Sequence, residues 1–108
     1  MRMSEYQQLA QRTSRHDLDM RQHLFNGILG LVGEAGEVAD LVKKHYYQDG
    51  RRMDEHLCEE LGDVLWYIAE IAEAMGFDLD DVAEMNIAKL RKRYPDGFEA
   101  DRSLHREE

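Results

Sequence analysis

The spacing of its apolar residues is the feature that most restricts the fold of this chain of 108 residues. From Leu24 to Leu90 these residues recur every three or four positions rather than at every second one. That period is typical of an α-helix with one apolar face. Proline, which breaks helices, occurs once, at Pro95. The pattern therefore predicts an all-α fold.

Turn and capping residues divide this pattern into four helices. Ser and Asp side chains can accept hydrogen bonds from the free N–H groups at a helix N-terminus, and glycine often follows a helix C-terminus. Asp49 and Gly50 are typical of a turn between two helices. The expected helices run from Ser4 to about Arg12, from about Asp19 to Tyr46, from Asp54 to about Met75 before Gly76, and from Asp78 or Asp80 to the residue before Tyr94.

The length of the chain and of its helices predicts one domain that is completed by association. We expect this domain to span residues 1–98, and the polar residues 99–108 to form a loosely held C-terminal tail. Two long and two short helices make an incomplete bundle for a monomer. We therefore expect a four-helix bundle module that is completed by oligomerisation, as a homodimer or homotetramer.

Charge and cysteine content exclude several classes of protein. A net charge of -9 counts against nucleic acid or an anionic membrane as a partner, because both bind through clustered Lys and Arg. The single cysteine, Cys58, cannot form a disulfide within the chain, which fits a reducing compartment. No apolar run approaches the ~20 residues that span a bilayer. The protein is expected to be cytoplasmic, with no nucleic acid and no membrane as partner.

Four glycines recur at every third position of the second helix: Gly27, Gly30, Gly33 and Gly36. Each destabilises a helix interior by about 0.8–1 kcal/mol relative to alanine. Close approach of another helix or of a ligand would offset this loss, and a locally kinked helix is the alternative. The sequence leaves both interpretations open.

Two pairs of carboxylates border the apolar faces of the two long helices. At about 100° per residue, Glu34 and Glu37 flank the apolar stripe of the second helix, and Glu60 and Asp63 flank that of the third with the same layout. If these helices pack antiparallel, the four carboxylates converge and repel one another unless a cation lies among them. An all-oxygen ligand set favours Mg²⁺, for which Mn²⁺ can substitute.

The alternative is that these residues are ordinary solvated acids. Among 23 Asp and Glu residues, ExxE and ExxD pairs also arise by chance, and Asp40, Glu70 and Glu73 are interpreted as such solvated acids. The five histidines show no metal-ligand spacing and are expected on the surface or in loops. The equal geometry of the two pairs favours a metal site, but spacing alone leaves both interpretations open.

Other polar side chains fall on the same margins of the helices. Lys44 lies about 20° from Glu37, and Tyr67 lies about 20° from Glu60. One strip of the fourth helix offers an amide, an ammonium and a guanidinium: Asn86, Lys89 and Arg93. Cationic side chains beside a metal site suit a polyphosphate ligand, because the metal and the side chains together balance its negative charge. The alternatives are a favourable interaction with the helix dipole for the cations and simple packing for the aromatic ring.

Two sequence strings and a downstream segment connect the chain to a known family. Residues 33–40 read GEAGEVAD and residues 59–67 read EELGDVLWY, and Asn86-Ile-Ala-Lys89-Leu and Arg93-Tyr94-Pro95 follow. With these strings the chain resembles the MazG-like family of all-α nucleoside triphosphate pyrophosphohydrolases, whose motif is ExxE, a spacer and ExxD. The resemblance covers about residues 5–98.

The resemblance implies a reaction and a set of roles. The reaction is Mg²⁺-dependent hydrolysis of an NTP or dNTP between the α- and β-phosphates, which gives the monophosphate and pyrophosphate for house-cleaning or nucleotide-pool control. Glu34 or Glu37 would be the base that positions the attacking water. Asn86 and Lys89 would contact the substrate, and Tyr67 would lie near its sugar or base. The implied metal ligands are Glu34, Glu37, Glu60 and Asp63.

Two other functions remain open at this point. A phosphoribosyl-ATP pyrophosphohydrolase of histidine biosynthesis would perform the same chemistry on another substrate, although Trp66 and Tyr67 after Asp63 look more MazG-like. A non-catalytic helical oligomerisation module would leave the acids solvated. The base preference does not follow from the sequence.

Overall fold

The computed structural model describes residues 1–50, 52–100 and 104, and these residues form helices and no strand. The helices are α1 (Met3–Ala10), which continues into a 3₁₀ turn (Gln11–Thr13), α2 (Met20–Tyr47), α3 (Asp54–Met75) and α4 (Leu79–Arg93). The predicted all-α class is confirmed. Residues 101–103 and 105–108 of the predicted tail, and Arg51 of the predicted loop, lie outside the described residues.

Most helix ends follow from the predicted turn chemistry. Asp19 caps α2 by accepting a hydrogen bond from the backbone N–H of Gln22, whose side chain accepts one from the backbone N–H of Asp19. Gly76 ends α3 with a φ of 74°, a left-handed conformation that glycine adopts without strain. Asp78 caps α4 by accepting from the backbone N–H of Asp80.

Two predicted caps are wrong. Ser4 lies inside α1, whose N-cap is Arg2, and no side chain caps this helix. Asp54 lies in the first turn of α3, after Met53 as N-cap, where its negative charge interacts favourably with the helix dipole. Each helix therefore begins one or two residues before the expected position.

The long helices α2 and α3 pack antiparallel, and two glycines allow their close approach. A Cβ atom at Gly27 would lie 2.7 Å from Ile71 Cγ1, and one at Gly30 would overlap the ring of Tyr67. Close helix approach therefore accounts for these two glycines. Gly33 and Gly36 have open space where a Cβ would be, so no close contact among the described residues requires glycine at these two positions.

The hydrophobic core is small and lies where α1 and the start of α4 meet α3. Its buried members are Ala10, Ala69, Ala72 and Leu79, and Trp66 packs against them. The apolar stripe predicted for α3 is buried only in part, since Leu61 is 53% exposed. Ile71, at the other end of α3, lies against α2 at Gly27, so the apolar stripe contributes to the helix contact over part of its length.

A buried polar network fastens the α1–α2 connection to α3. The carboxylate of Glu70 is only 2% exposed; Ser14 Oγ donates to it at 2.8 and 2.9 Å, and His23 Nδ1 lies 2.9 Å from its Oε1. The prediction that Glu70 is a solvated acid is wrong, and His23 is not a simple surface histidine. The helical position of Glu70 is polar by pattern, but the chain segment around Ser14 folds over it.

The fourth helix leaves the body of the molecule after its first turn. Leu79 is buried and its backbone N–H donates to Gln7 Oε1 at 2.8 Å, whereas residues 81–92 are all exposed. The radius of gyration is 17.0 Å, compared with about 13 Å for a compact domain of this length. Within the described residues, no helix has both the length and the apolar character needed to cross a membrane.

Candidate metal centre

Three carboxylates from the two long helices converge in the groove between them. Glu34 on α2 and Glu60 and Asp63 on α3 each offer an oxygen, and these oxygens all lie within 4.8 Å of one another. Glu34 and Glu60 are half-buried and Asp63 is exposed. The antiparallel packing of α2 on α3 therefore brings one carboxylate of the first predicted pair to both carboxylates of the second.

The surroundings of these carboxylates fit a cation-binding site. Oε2 of Glu60 is buried and has no hydrogen-bond partner among the described residues. The pKa of Glu34 is raised, first because its carboxyl shares a hydrogen bond with Glu60 and next because it is partly desolvated. The negative charges of Asp63, Glu60 and Glu37 raise this pKa further. A divalent cation with oxygen ligands would satisfy the unpaired oxygen and relieve the repulsion.

Glu37 lies beside the three carboxylates rather than among them. It is exposed, and its oxygens are not part of the set within 4.8 Å. It lines a neighbouring cavity of about 120 Å³ together with Glu60 and Lys44. Lys44 Nζ forms an ion pair with Asp40 Oδ2 at 2.8 Å at this cavity. The position of Glu37 is thus near the centre but open to water.

Tyr6 is a residue near this centre that the sequence analysis missed. Its pKa is raised, first by burial and then by the negative charge of Asp63, which places the phenol of α1 near that carboxylate. No spacing rule relates a residue of α1 to the ExxD pair of α3. Only the packing of α1 on α3 could reveal it.

The aromatic residues after Asp63 have different surroundings. Trp66 packs on the core, and its Nε1 donates to Thr13 Oγ1 at 2.9 Å and to Ala10 O at 3.2 Å. Tyr67 lies against α2 at Gly30, and its ring meets that of Trp66 edge to face at 5.1 Å. Packing therefore accounts for the position of Trp66, and in part for that of Tyr67.

The predicted substrate residues of α4 are not gathered around the carboxylates by the contacts within one chain. Helix α4 packs mainly against α1, and Asn86 and Lys89 are exposed on it. Arg93 is partly buried, and its Nε has no hydrogen-bond partner among the described residues. Contacts within one chain therefore leave Asn86 and Lys89 accessible to a ligand or to a second chain.

Comparison with known proteins identifies similar sequences. Residues 22–98 match the sequence profile of the MazG nucleotide pyrophosphohydrolase domain. The chain is 42% identical over 81 residues to "Gene 37 protein" of Mycobacterium phage L5, covering 71% of each chain. It is 40% identical over 75 residues to "Uncharacterized protein YvdC" of Bacillus subtilis (strain 168), covering 59% of this chain and 69% of the other. No solved structure gives a significant match. The region matched by the profile contains all the predicted site residues.

Proposed function

The chain belongs to the MazG nucleotide pyrophosphohydrolase family, and we propose that it hydrolyses a nucleoside triphosphate between the α- and β-phosphates to the monophosphate and pyrophosphate. The observation that carries this proposal is the convergence of the Glu34, Glu60 and Asp63 oxygens within 4.8 Å. The residues that would hold Mg²⁺ are these three and Glu37. Residues 1–98 form the proposed catalytic unit, because α1 packs on α3 and the family match ends at residue 98.

The bound cation would supply the charge that polarises the phosphoryl oxygens and lowers the pKa of a coordinated water. The protein positions the reactants. Glu34 and Glu37 lie one helical turn apart, and either can accept a proton from the attacking water; Glu37 is the more exposed of the two. Glu60 and Asp63 would hold the cation from α3, whose backbone packs against the core through Ala69 and Ala72.

The dimensions of the groove indicate where the rest of the substrate binds. The cavity beside Glu37, Glu60 and Lys44 has a volume of about 120 Å³ and opens to the surface, so a phosphoryl group can enter it. We propose that Lys44 contacts the phosphates there. The nucleoside would lie outside the cavity, near Tyr67, with Asn86, Lys89 and Arg93 of an α4 helix as further contacts.

Association of two or more chains would supply the missing walls of the site. The face of α2 opposite α3 carries three apolar side chains one turn apart, Phe25, Leu29 and Val32, and Leu29 is 72% exposed. Helix α4 adds exposed Val82 and Met85. Apolar faces of this kind on an elongated chain are typical of subunit interfaces. We propose a homodimer or homotetramer, in the cytoplasm where nucleoside triphosphates are used.

A panel of NTPs and dNTPs with Mg²⁺, scored for pyrophosphate release, tests the proposed reaction. Glu60→Gln and Asp63→Asn should lower turnover by more than about 100-fold, since even outer-shell partners of metal ligands contribute 10- to 100-fold. Glu59→Gln is the matched control, because this exposed neighbour is not among the three clustered carboxylates and should retain activity.

Three results would contradict the proposal. The first is wild-type protein that releases no pyrophosphate from any member of the panel with Mg²⁺ or Mn²⁺. The second is turnover of phosphoribosyl-ATP alone, which would favour the histidine-biosynthesis reaction. The third is full activity of Glu60→Gln, which would remove Glu60 from the ligand set. Helicity measured by circular dichroism must be unchanged in each variant for the comparison to hold.

A further inference from the structure

A hydrogen bond between α2 and α3 lies about three helical turns from Glu34 and Glu60 of the carboxylate cluster. His23 on α2 contacts Glu70 on α3, with Nδ1 2.9 Å from Oε1. The same carboxylate accepts a hydrogen bond from Ser14, which lies in the connection before α2 and not on either long helix. His23 is therefore the partner that ties α2 itself to Glu70.

The buried side chain of Glu70 makes directional contacts. It is 2% exposed, and burying a polar side chain is unfavourable unless hydrogen bonds compensate for its lost hydration. Apolar residues of similar volume often replace buried polar groups with no loss of stability, whereas polar groups can fix one arrangement among several. The directional contacts of Glu70 fit the second role.

Two other contacts hold α2 against α3 at this end of the helix pair. Ile71 and Tyr67 lie directly on the backbone of α2 at Gly27 and Gly30, which brings the two helices close together. The hydrogen bond between His23 and Glu70 adds to these apolar contacts a polar contact of defined length and direction.

The helix lengths on either side connect this bond to the carboxylate cluster. His23 and Glu34 are about 16 Å apart along α2, and Glu70 and Glu60 are about 15 Å apart along α3. The two segments therefore match in length within an antiparallel pair. A slip of one residue would displace Glu34 by about 1.5 Å relative to Glu60, which Mg²⁺ cannot tolerate because it requires near-ideal octahedral geometry.

We infer that His23 and Glu70 are positioning residues for the carboxylate cluster, whose hydrogen bond fixes the register of α2 on α3 and so the spacing of Glu34 from Glu60 and Asp63. This role rests on the proposed function, because it assumes that the cluster binds a divalent cation. Neither residue contacts the substrate.

Mn²⁺ binding to the full chain without nucleotide, measured by isothermal titration calorimetry, tests this role. His23→Ala removes the bond between the helices and should weaken Mn²⁺ binding about fivefold or more, a typical coupling between two sites. His23→Asn should restore binding, because its amide can donate to Glu70 from nearly the position of Nδ1. Ser14→Ala is the matched control, since it removes a hydrogen bond to the same carboxylate but leaves the hydrogen bond between His23 of α2 and Glu70 intact.

The expected pattern separates positioning from stability. His23→Ala and Ser14→Ala should both lower the thermal midpoint of the metal-free protein, but only His23→Ala should lose Mn²⁺ affinity. Equal Mn²⁺ affinity in these two variants, or an Asn variant as weak as the Ala variant, would overturn the positioning role. Should His23→Ala fail to fold, His23→Leu, which keeps the volume but cannot donate, carries the same expectation.

Failure of the proposed function gives a different result. If the wild-type protein bound no Mn²⁺, or if Glu60→Gln bound it as tightly as the wild type, the cluster would not be the metal site and the positioning role would fall with it. If the wild type bound Mn²⁺, Glu60→Gln abolished this binding and His23→Ala left the Mn²⁺ affinity unchanged, only the positioning role would be wrong.

Discussion

Replacement of Gly30 by alanine tests how closely α2 and α3 pack. An added Cβ would overlap the ring of Tyr67, whereas one at Gly33, one turn later on the same helix, would meet nothing within 4 Å. In both variants alanine raises the intrinsic helix stability by about 0.8–1 kcal/mol. Overpacking against the ring lowers stability by about 1–3 kcal/mol in Gly30→Ala only. We therefore expect Gly33→Ala to be the more stable variant by about 1–3 kcal/mol.

Urea unfolding of the metal-free protein, followed by circular dichroism at 222 nm, measures this difference. With an m-value of about 2 kcal/mol/M, a difference of about 2 kcal/mol separates the two midpoints by about 1 M. All variants must be compared at one protein concentration, because association contributes to apparent stability. An unchanged m-value would show that the denatured state is the same in both variants.

A double-mutant cycle with Tyr67→Ala identifies the cause. Without the ring, Gly30→Ala should become stabilising like Gly33→Ala, because only the intrinsic helix term remains. The reasoning would be refuted if Gly30→Ala were as stable as Gly33→Ala in the wild-type background. It would also be refuted if the loss persisted in the Tyr67→Ala background.

Two further predictions concern the carboxylate cluster and the exposed face of α2. The pKa of Glu34 in the folded chain is raised above its ordinary value of 4.5. Between the ordinary and the raised pKa, the folded chain binds more protons than the unfolded chain. The free energy of unfolding of the metal-free protein therefore falls as pH rises through this interval. Glu34→Gln should remove this loss of stability. The measurement is the urea midpoint of the wild type and of the variant at several pH values between 4 and 8. A difference between the two midpoints that does not change with pH would contradict the assignment to Glu34. Leu29→Glu should convert the protein to monomers, because it places a charge on the exposed apolar face of α2. The molar mass is measured by light scattering after gel filtration, and Gln8→Glu on α1 is the control that should not change it. An unchanged mass of the Leu29→Glu variant would exclude this face as the interface.

The local pattern of the sequence was sufficient to predict the helices and most of their ends. The three- and four-residue spacing gave the all-α class, and Asp19, Gly76 and Asp78 act as expected because a cap depends on a few neighbouring residues. The caps predicted at Ser4 and Asp54 were wrong by two residues and by one residue, because local pattern fixes a helix end only to within one or two positions.

Helical periodicity predicted on which face of its own helix each candidate site residue lies, but not which residues of different helices meet. The ExxE and ExxD spacings placed two pairs of carboxylates on helix margins, which required no knowledge of the partner helix. Which oxygens meet depends on the register and separation of α2 and α3, and in the structure Glu34 joins Glu60 and Asp63 while Glu37 faces the neighbouring cavity.

What the sequence alone determined is the set of helices and the faces on which their charges lie, since both follow from the 3.6-residue period. The tertiary structure decided how those faces meet. It placed Tyr6 near Asp63, buried Glu70 beneath Ser14, and brought Tyr67 onto Gly30. These contacts join residues far apart in the chain, and they depend on the shapes of several elements at once rather than on any local pattern.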